Sequence, residues 1–422
     1  ESPLTNRVDW LTIAFKRNYV RRPENLIREL ERYIDSRSDQ ALRLLETLVN
    51  IDSGTYCKAG VDAVGAILAS EMQSLGFGVH TVPQSAYGDH LLCHKPGDGR
   101  RLLFLGHMDT VFAENAALVR PFNVQGERAY GPGVLDMKGG IVCLLSALEA
   151  LRAVAPSAFD SADLVVLFNS DEEVLSPTSR TLIEAQAEVA TAVCVLEPAR
   201  QGGEYVTQRK CAGKFWLRVH GRAAHVGVQP ELGASAVHAL AHKIVDLAAL
   251  ADYEKGVVVN VGVLRGGSRS NVVADEAEAE IDVRAWTMDQ GKQVIDAMRA
   301  IADLVHITGT RATLLGEISV PPMERTKGTA DLFSCVRQVG HRLGLDLRET
   351  ATGGVSDGNY AACFAPVLDG MGPVGGGAHG PDEYIEIASL GERTKVLALF
   401  LADWAAPLMK RETLGDVSLS GT

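Results

Sequence analysis

Five short segments, far apart in the chain, carry residues suited to metal chemistry. GHMDT holds His107 and Asp109, NSDEE holds Asp171, Glu172 and Glu173, and Glu197 is followed at once by Pro198. GPGVLDMKGG sets Asp136 in a glycine-rich turn, and GGGAHG does the same for His379. Singly, each has a plain structural reading: HxD and DEE are ordinary loop composition, and Asp136 suits the cap of a following helix. Gathered in one place, their carboxylates would repel one another, at a cost of several kcal/mol or a shifted pKa. A cation removes that cost, and a nitrogen-and-oxygen ligand set suits zinc or a similar divalent ion. Two histidines and three carboxylates also match two cations that share one carboxylate. Such a pair, roughly 3.5–4 Å apart, can polarise a carbonyl and supply hydroxide together. The spare acid of the DEE run is then a candidate general base.

A sheet is the element that could gather them. RLLFL (101–105), DLVVLF (163–168) and AVCVL (192–196) are continuous apolar runs of strand length, as expected of strands buried on both faces. Each runs out into one of the polar segments, and ligands of open α/β sheets bind beyond the carboxyl ends of the strands. A helical run over Lys138–Val154 lies between the first two. The first 50 residues read as helices, with apolar positions of NLIRELERYIDSRSDQALRLLETLVNI at helical spacing, and 61–76 predicts another. The alternation predicts an α/β catalytic domain with a mainly parallel central sheet. Between about 208 and 318 the pattern changes. Lys214–His220 and Ala277–Val283 alternate with period two, Val257–Leu264 is a strand, Ala312–Leu315 begins another, and 232–250 and 288–304 are helices. The order β-α-β-β-α-β predicts a ferredoxin-like insert. The expected division is therefore 1–207 with 319–422, and 208–318 inserted. SVPPMER (319–325) is the return linker, and a last helix is expected near 388–404.

The 422 residues suit two or three domains at roughly 100–200 residues each. Apolar residues at 46% and charged residues at 22% exclude a disordered chain. Lys+Arg 41 against Asp+Glu 53 leaves a net charge of −12 with no basic run, which argues against a nucleic-acid surface. The absence of a long uncharged apolar stretch argues against a membrane span. The seven cysteines include no CxxC pair, so a reducing compartment without a disulfide framework is expected. Cys143, Cys194 and Cys363 sit in apolar runs and read as buried small hydrophobes. A cytoplasmic location is expected, although a chain opening at Glu1 leaves room for a removed leader and a periplasmic or secreted one. A nucleotide site in the glycine-rich loops fails, because neither GxGxxG nor GxxxxGK[ST] follows a strand.

In order, GHMDT, GPGVLDMKGG, DEE, the Glu-Pro pair and GGGAHG resemble the M20 metallopeptidases, with spacing most similar to the carboxypeptidase G2 branch, from about residue 40 onward. The resemblance implies two zinc ions, with cobalt or manganese as substitutes. Asp136 would bridge them, His107 and Glu197 completing one site and Glu173 and His379 the other. Asp109 would hold the His107 ring, and Glu172 would be the general base that activates water and later protonates the leaving amine. GRAAHVGVQPELGASA matches the segment whose histidine, here His225, reaches into the partner subunit's site to stabilise the oxyanion. A homodimer through the inserted lid domain is implied with it. Asn271 and Arg284 match positions that hold the substrate carboxylate, a task suited to the planar fork of arginine, and Gly354 matches a loop lining the substrate pocket.

The implied reaction is hydrolysis of an amide in an N-acyl amino acid, a small peptide or a C-terminal residue, with no nucleic-acid or membrane partner. The rivals are an aminopeptidase or dipeptidase that needs a free amine, and a non-catalytic metal-dependent binding protein, against which the intact Glu172 argues. The chain departs from the family pattern at Phe112, often proline, and at Val174-Leu175-Ser176-Pro177, often Gly-Ser. Basic residues are also missing near Tyr205 and Val320, where glutamate-releasing relatives are expected to carry them, pointing to a less polar side-chain pocket.

Overall fold

A computed structural model describes residues 24–405, so the part of the helical reading before residue 24 lies outside the described residues. Helices α1 (Glu24–Ser36), α2 (Ser38–Val49) and α3 (Lys58–Ser74) lead into strands β1 (Gly78–Val82), β2 (His90–Lys95) and β3 (Leu102–His107). Helix α4 (Gly140–Val154), strand β4 (Leu164–Asn169), helix α5 (Arg180–Val189) and strand β5 (Ala192–Val195) follow. The central sheet runs β1-β2-β4-β3-β5 and ends at the short strand Val367–Leu368. From β4 to Val367–Leu368 the strands are parallel, while β1 and β2 extend the other edge antiparallel.

Every residue of β3, β4 and β5 is buried, which explains why these runs show no polar alternation. Their side chains still alternate between two cores. Leu102, Phe104, Leu164, Val166 and Phe168 face α1–α4 and the last helix, Ile387–Trp404. Leu103, Leu105, Val165, Leu167 and Val193 face Ile183 and Ala187 of α5. Helix α4 begins at Gly140, two residues later than expected, because Asp136 (φ −113°, ψ 95°) and Met137 (φ −129°, ψ 31°) leave helical geometry. The backbone at Leu196–Glu197 is pinched between two glycines. A Cβ on Gly140 would lie 1.9 Å from the Leu196 carbonyl oxygen, and one on Gly372 would lie 2.9 Å from that of Glu197.

A second sheet is built from β6 (Ala212–His220), β7 (Val258–Gly266), β8 (Glu276–Arg284) and β9 (Arg311–Val320). Its order is β7-β8-β6-β9, with every neighbouring pair antiparallel. Phe215, Leu217, Val219, Ala279 and Ile281 pack with Leu240 and Leu247 of α6 (Ala236–Ala248) and Val294 and Met298 of α7 (Met288–Asp303), forming a separate core. The opposite face is charged and cross-linked, as by Arg265 Nη1 to Glu280 at 2.7 Å. The outgoing and returning chains lie side by side, with Arg209 and Met323 exchanging backbone hydrogen bonds of 2.9 and 3.1 Å.

All seven cysteines are free. Cys143 and Cys194 are buried, but Cys363 is exposed, contrary to its reading as a core residue. The run around it is a helical turn, with the Ala365 amide donating to the Ala361 carbonyl, and that period turns Ala361 and Ala365 inward and Cys363 out. Among the described residues no helix is long and apolar enough to cross a membrane.

The pinch predicts that Gly140→Ala forces Leu196 away from α4 at a cost of about 1–3 kcal/mol. The measurement is a thermal melt, with Tm falling by several degrees; an unchanged Tm would show that the strand end yields freely.

Candidate metal centre

Parallel register makes the strand ends level. His107 of β3 pairs with Asn169 of β4, and beyond the strands the Leu196 amide still donates to the Leu105 carbonyl at 2.9 Å. The chain therefore releases His107, the Asp171–Glu173 segment and Glu197 at one edge. Asp136 arrives from the irregular turn before α4. His379 arrives on the loop between the short paired strands Gly375–Gly376 and Tyr384–Glu386, where it holds a φ of 64°. That left-handed conformation costs a non-glycine residue roughly 1 kcal/mol or more and is kept at a position aimed inward.

The five side chains meet in two trios. His107 Nε2 lies 3.2 Å from Asp136 Oδ1 and 3.7 Å from Glu197 Oε1. His379 Nε2 lies 3.2 Å from Asp136 Oδ2 and 3.3 Å from Glu173 Oε2. Asp136 thus offers one oxygen to each trio, and within each trio the potential ligand atoms lie within 4.8 Å of one another.

The electrostatics call for positive charge. Burial and the nearby Asp136 push Glu197 up to about 8. Burial, with Glu197, Asp357 and Glu173 close by, holds Glu172 well above the usual carboxylate range. Burial also works against charge on Asp136, yet hydrogen bonds with His107 and His379 hold it below that range. Hydrogen bonds to Asp136 and Glu173 raise His379 to about 10. Glu173 Oε1 is buried with no hydrogen-bond partner. An orphaned buried carboxylate oxygen beside two imidazoles is a donor set that two divalent cations fit.

A surrounding layer fixes these groups. The fully buried Asp109 carboxylate accepts from Thr55 Oγ1 at 2.7 Å and from the Glu172 and Glu173 amides at 3.3 Å each. Its Oδ1 lies 3.5 Å from His107 Nδ1, which is 2.9 Å from the Asp109 carbonyl. One carboxylate therefore steadies both the His107 strand end and the turn Glu172–Val174. Asp171 accepts from Thr178 and Ser179, and Asp357 from Asn169 and Ser176, bracing the far side of that turn. This bracing replaces the expected Gly-Ser segment, and it takes Leu175 and Ser176 through φ of 70° and 54°. Glu383 accepts from the amides of Gly133, Leu135 and Asp136 at 3.1, 2.8 and 3.0 Å, pinning the Asp136 turn. Sequence reasoning missed Thr55 and Glu383, single residues in loops without a motif.

The residues of the second sheet stand apart. His225 is exposed, and its Nδ1 accepts from the Gly227 amide at 3.1 Å. It bridges to Val272, and the Val226 amide donates to the Asn271 carbonyl at 3.3 Å, so His225 and Asn271 share one loop cluster. Arg284 forks onto Asp282 at 2.8 and 3.0 Å. Asn271 precedes the nine-residue β8 and Arg284 ends it, so the two belong to opposite ends of that strand. The Gly354 carbonyl accepts from Arg209 Nη1 at 3.2 Å. Tyr205 and Val320 are each 1% exposed, and the Arg393 guanidinium covers the Tyr205 ring at 4.2 Å. Both are core positions, so their lack of charge carries no information about the pocket, contrary to the sequence reading. Phe112 is covered by the Arg120 guanidinium at 4.8 Å.

The family model described as Peptidase family M20/M25/M40 matches residues 103–403. Carboxypeptidase G2 of Pseudomonas sp. (strain RS-16) is 31% identical over 377 residues, covering 86% of this chain and 89% of that one. A succinyl-diaminopimelate desuccinylase of Halorhodospira halophila is 28% identical over 368 residues, covering 83% of this chain and 94% of that one. Among solved structures, a dinuclear metal-binding peptidase of the M20 family from Bacillus subtilis shares the fold with a TM-score of 0.67 at 15% identity, covering 87% of this chain and 98% of that one. The paired trios at the strand ends and the extent of these matches lead to one assignment: the chain belongs to peptidase family M20/M25/M40 and is a metal-dependent hydrolase.

Proposed function

We propose that the chain is a two-zinc amidohydrolase that cleaves the amide bond of an N-acyl amino acid, a small peptide or a C-terminal residue. The carrying observation is Asp136, whose two oxygens face His107 and His379 separately. In this reading His107, Asp136 and Glu197 hold one zinc ion, and Asp136, Glu173 and His379 the other. When bound, the cations supply Lewis-acid activation of a water and of the scissile carbonyl. Glu172, in the half-buried turn beside them, takes the proton from the attacking water and delivers it to the departing amine. Asp109 sets the tautomer and angle of the His107 ring and holds the turn that aims Glu172.

Substrate recognition falls to the second sheet. In this proposal residues 208–318 are a lid and dimerisation domain, and 1–207 with 319–422 are the catalytic domain. Arg284 pairs with the substrate carboxylate through its fork. Asn271, before the start of β8, and Arg284, at its end, serve the carboxylate from different protomers in this reading, which their placement at opposite ends of the strand supports. A partner copy supplies His225 and Asn271 to the cleft, the histidine donating to the developing oxyanion, and the Gly354 loop lines the cleft from the catalytic side. The names of the relatives, a carboxypeptidase and a desuccinylase, support an amide next to an amino acid as the scissile bond. The reading places the enzyme in the cytoplasm.

Three outcomes test it. Glu172→Ala lowers kcat by about 10²–10⁴-fold on N-acyl amino acids while mass spectrometry still counts two metals per chain; retained turnover would refute the base. Chelation abolishes hydrolysis and zinc restores it, whereas faster cleavage of free dipeptides than of their N-acetyl forms would favour an aminopeptidase. Glu383→Gln, which places an N–H donor among three amide donors, weakens metal affinity by about 10–100-fold in a chelator competition. Unchanged affinity there would show that the Asp136 turn holds itself.

A further inference from the structure

The loop that carries His379 has few ties of its own. Residues 377–379 are exposed, and one backbone bond, from the Gly380 amide to the Gly377 carbonyl at 2.8 Å, closes its turn. His379 itself holds a φ of 64°, a conformation its surroundings must maintain. Among the described residues, Arg120 is the one side chain that hydrogen-bonds to the backbone of 377–382. Its Nη1 donates to the Pro381 carbonyl at 2.7 Å and to the Gly380 carbonyl at 3.3 Å, the two groups that follow His379. Arg120 sits in turn on a fixed arm. Asp52 accepts from the amides of Asn115 and Ala117 at 2.7 Å each, and Asn50 Oδ1 accepts from that of Phe122 at 2.8 Å. The guanidinium carbon lies 4.8 Å from the centroid of the Phe112 ring. The Phe112 backbone is pressed on Gly54, where a Cβ would lie 2.2 Å from the Phe112 carbonyl oxygen.

Phe112 lies five residues past His107, so the arm leaves the strand end that bears one imidazole and reaches the loop that bears the other. Phe112 is also a departure from the family pattern, in which proline is common and offers no aromatic face for a guanidinium. Resting on the two-zinc reading, we propose that Arg120 and Phe112 are positioning residues for His379 and set the affinity of the Asp136–Glu173–His379 site without touching the other. An imidazole on an exposed loop loses motion when it takes a cation, and a loop fixed beforehand has less to lose. The ring holds the guanidinium flat against it, and the guanidinium holds the loop. The His107–Asp136–Glu197 trio has no member on this loop, and the shared Asp136 is pinned by Glu383 instead.

The test is zinc titration of the full chain against a competing chelator, with metals counted per chain by native mass spectrometry. Arg120→Ala weakens one of the two sites by about 10–100-fold and leaves the other unchanged, and Arg120→Lys, which keeps the charge and a donor, recovers part of the loss. Phe112→Leu weakens the same site by about 2–5-fold, the worth of an exposed cation–π contact, and adds nothing to Arg120→Ala, because the ring acts through the guanidinium. In a His379→Ala background Arg120→Ala leaves the remaining site as it was, which identifies the site concerned. Equal loss at both sites, no loss at either, or a Phe112→Leu effect that persists in full beside Arg120→Ala overturns the proposal. A wild-type chain that takes up fewer than two zinc ions counts against the two-zinc reading instead. Hydrogen exchange on the zinc-free chain then decides the role of Arg120 by itself: Arg120→Ala speeds exchange across 377–382 and leaves 131–136 unchanged, whereas equal exchange in variant and wild type overturns it.

Discussion

Carboxylate repulsion is the constraint on which the site depends. Asp136, Glu172, Glu173 and Glu197 converge with two imidazoles in one pocket, and burial alone pushes Glu172 and Glu197 toward their neutral forms. Positive charge entering such a cluster relieves both the repulsion and the burial cost of its charged form. Parallel strands with level ends bring the groups together, and glycine-bounded turns deliver Asp136 and His379 between them. The family's dependence on metal follows from that geometry as directly as from the matched residues.

The buried acids around the pocket divide by what satisfies them. Asp109, Asp171, Asp357 and Glu383 each accept from several N–H or O–H donors, such as the three amides on Glu383. Glu173 keeps one oxygen with no donor at all. The first group consumes its acceptors in holding neighbouring amides and hydroxyls, whereas Glu173 keeps acceptor capacity open. The open oxygen of Glu173 thus marks it apart from the fully satisfied acids around it.

Much of this was legible in the sequence, for physical reasons. Strands buried on both faces must be continuous apolar runs, so β3, β4 and β5 stood out, and a polar break at their carboxyl ends marked His107, Glu173 and Glu197. Period two in β6 and β8 reflects a sheet with one face packed and one face solvated. Strands of two or three residues, such as Tyr384–Glu386, are too short to show a period, and so the hairpin carrying His379 was not foreseen. Thr55 and Glu383 act through contacts remote in sequence and leave no local trace. Cys363 misled because an apolar run was read as buried when a helical turn presents it outward. Tyr205 and Val320 misled because a missing charge was read as pocket chemistry when both positions are core.

The pinch at Leu196–Glu197 has a mechanical corollary. With Gly140 beneath and Gly372 above, that strand end has no free volume in which to slide, and Asp109 ties its neighbours together. The central sheet is thus an anvil at this edge of the site. The paired crossing at Arg209 and Met323 is where the chain passes between the two sheets, and its reciprocal hydrogen bonds hold the outgoing and returning segments together. Arg209, paired with Asp369 at 2.6 Å, and the fully buried Met323 anchor that crossing in the core of the larger sheet, so the rigidity of the strand ends extends to the base of the smaller one.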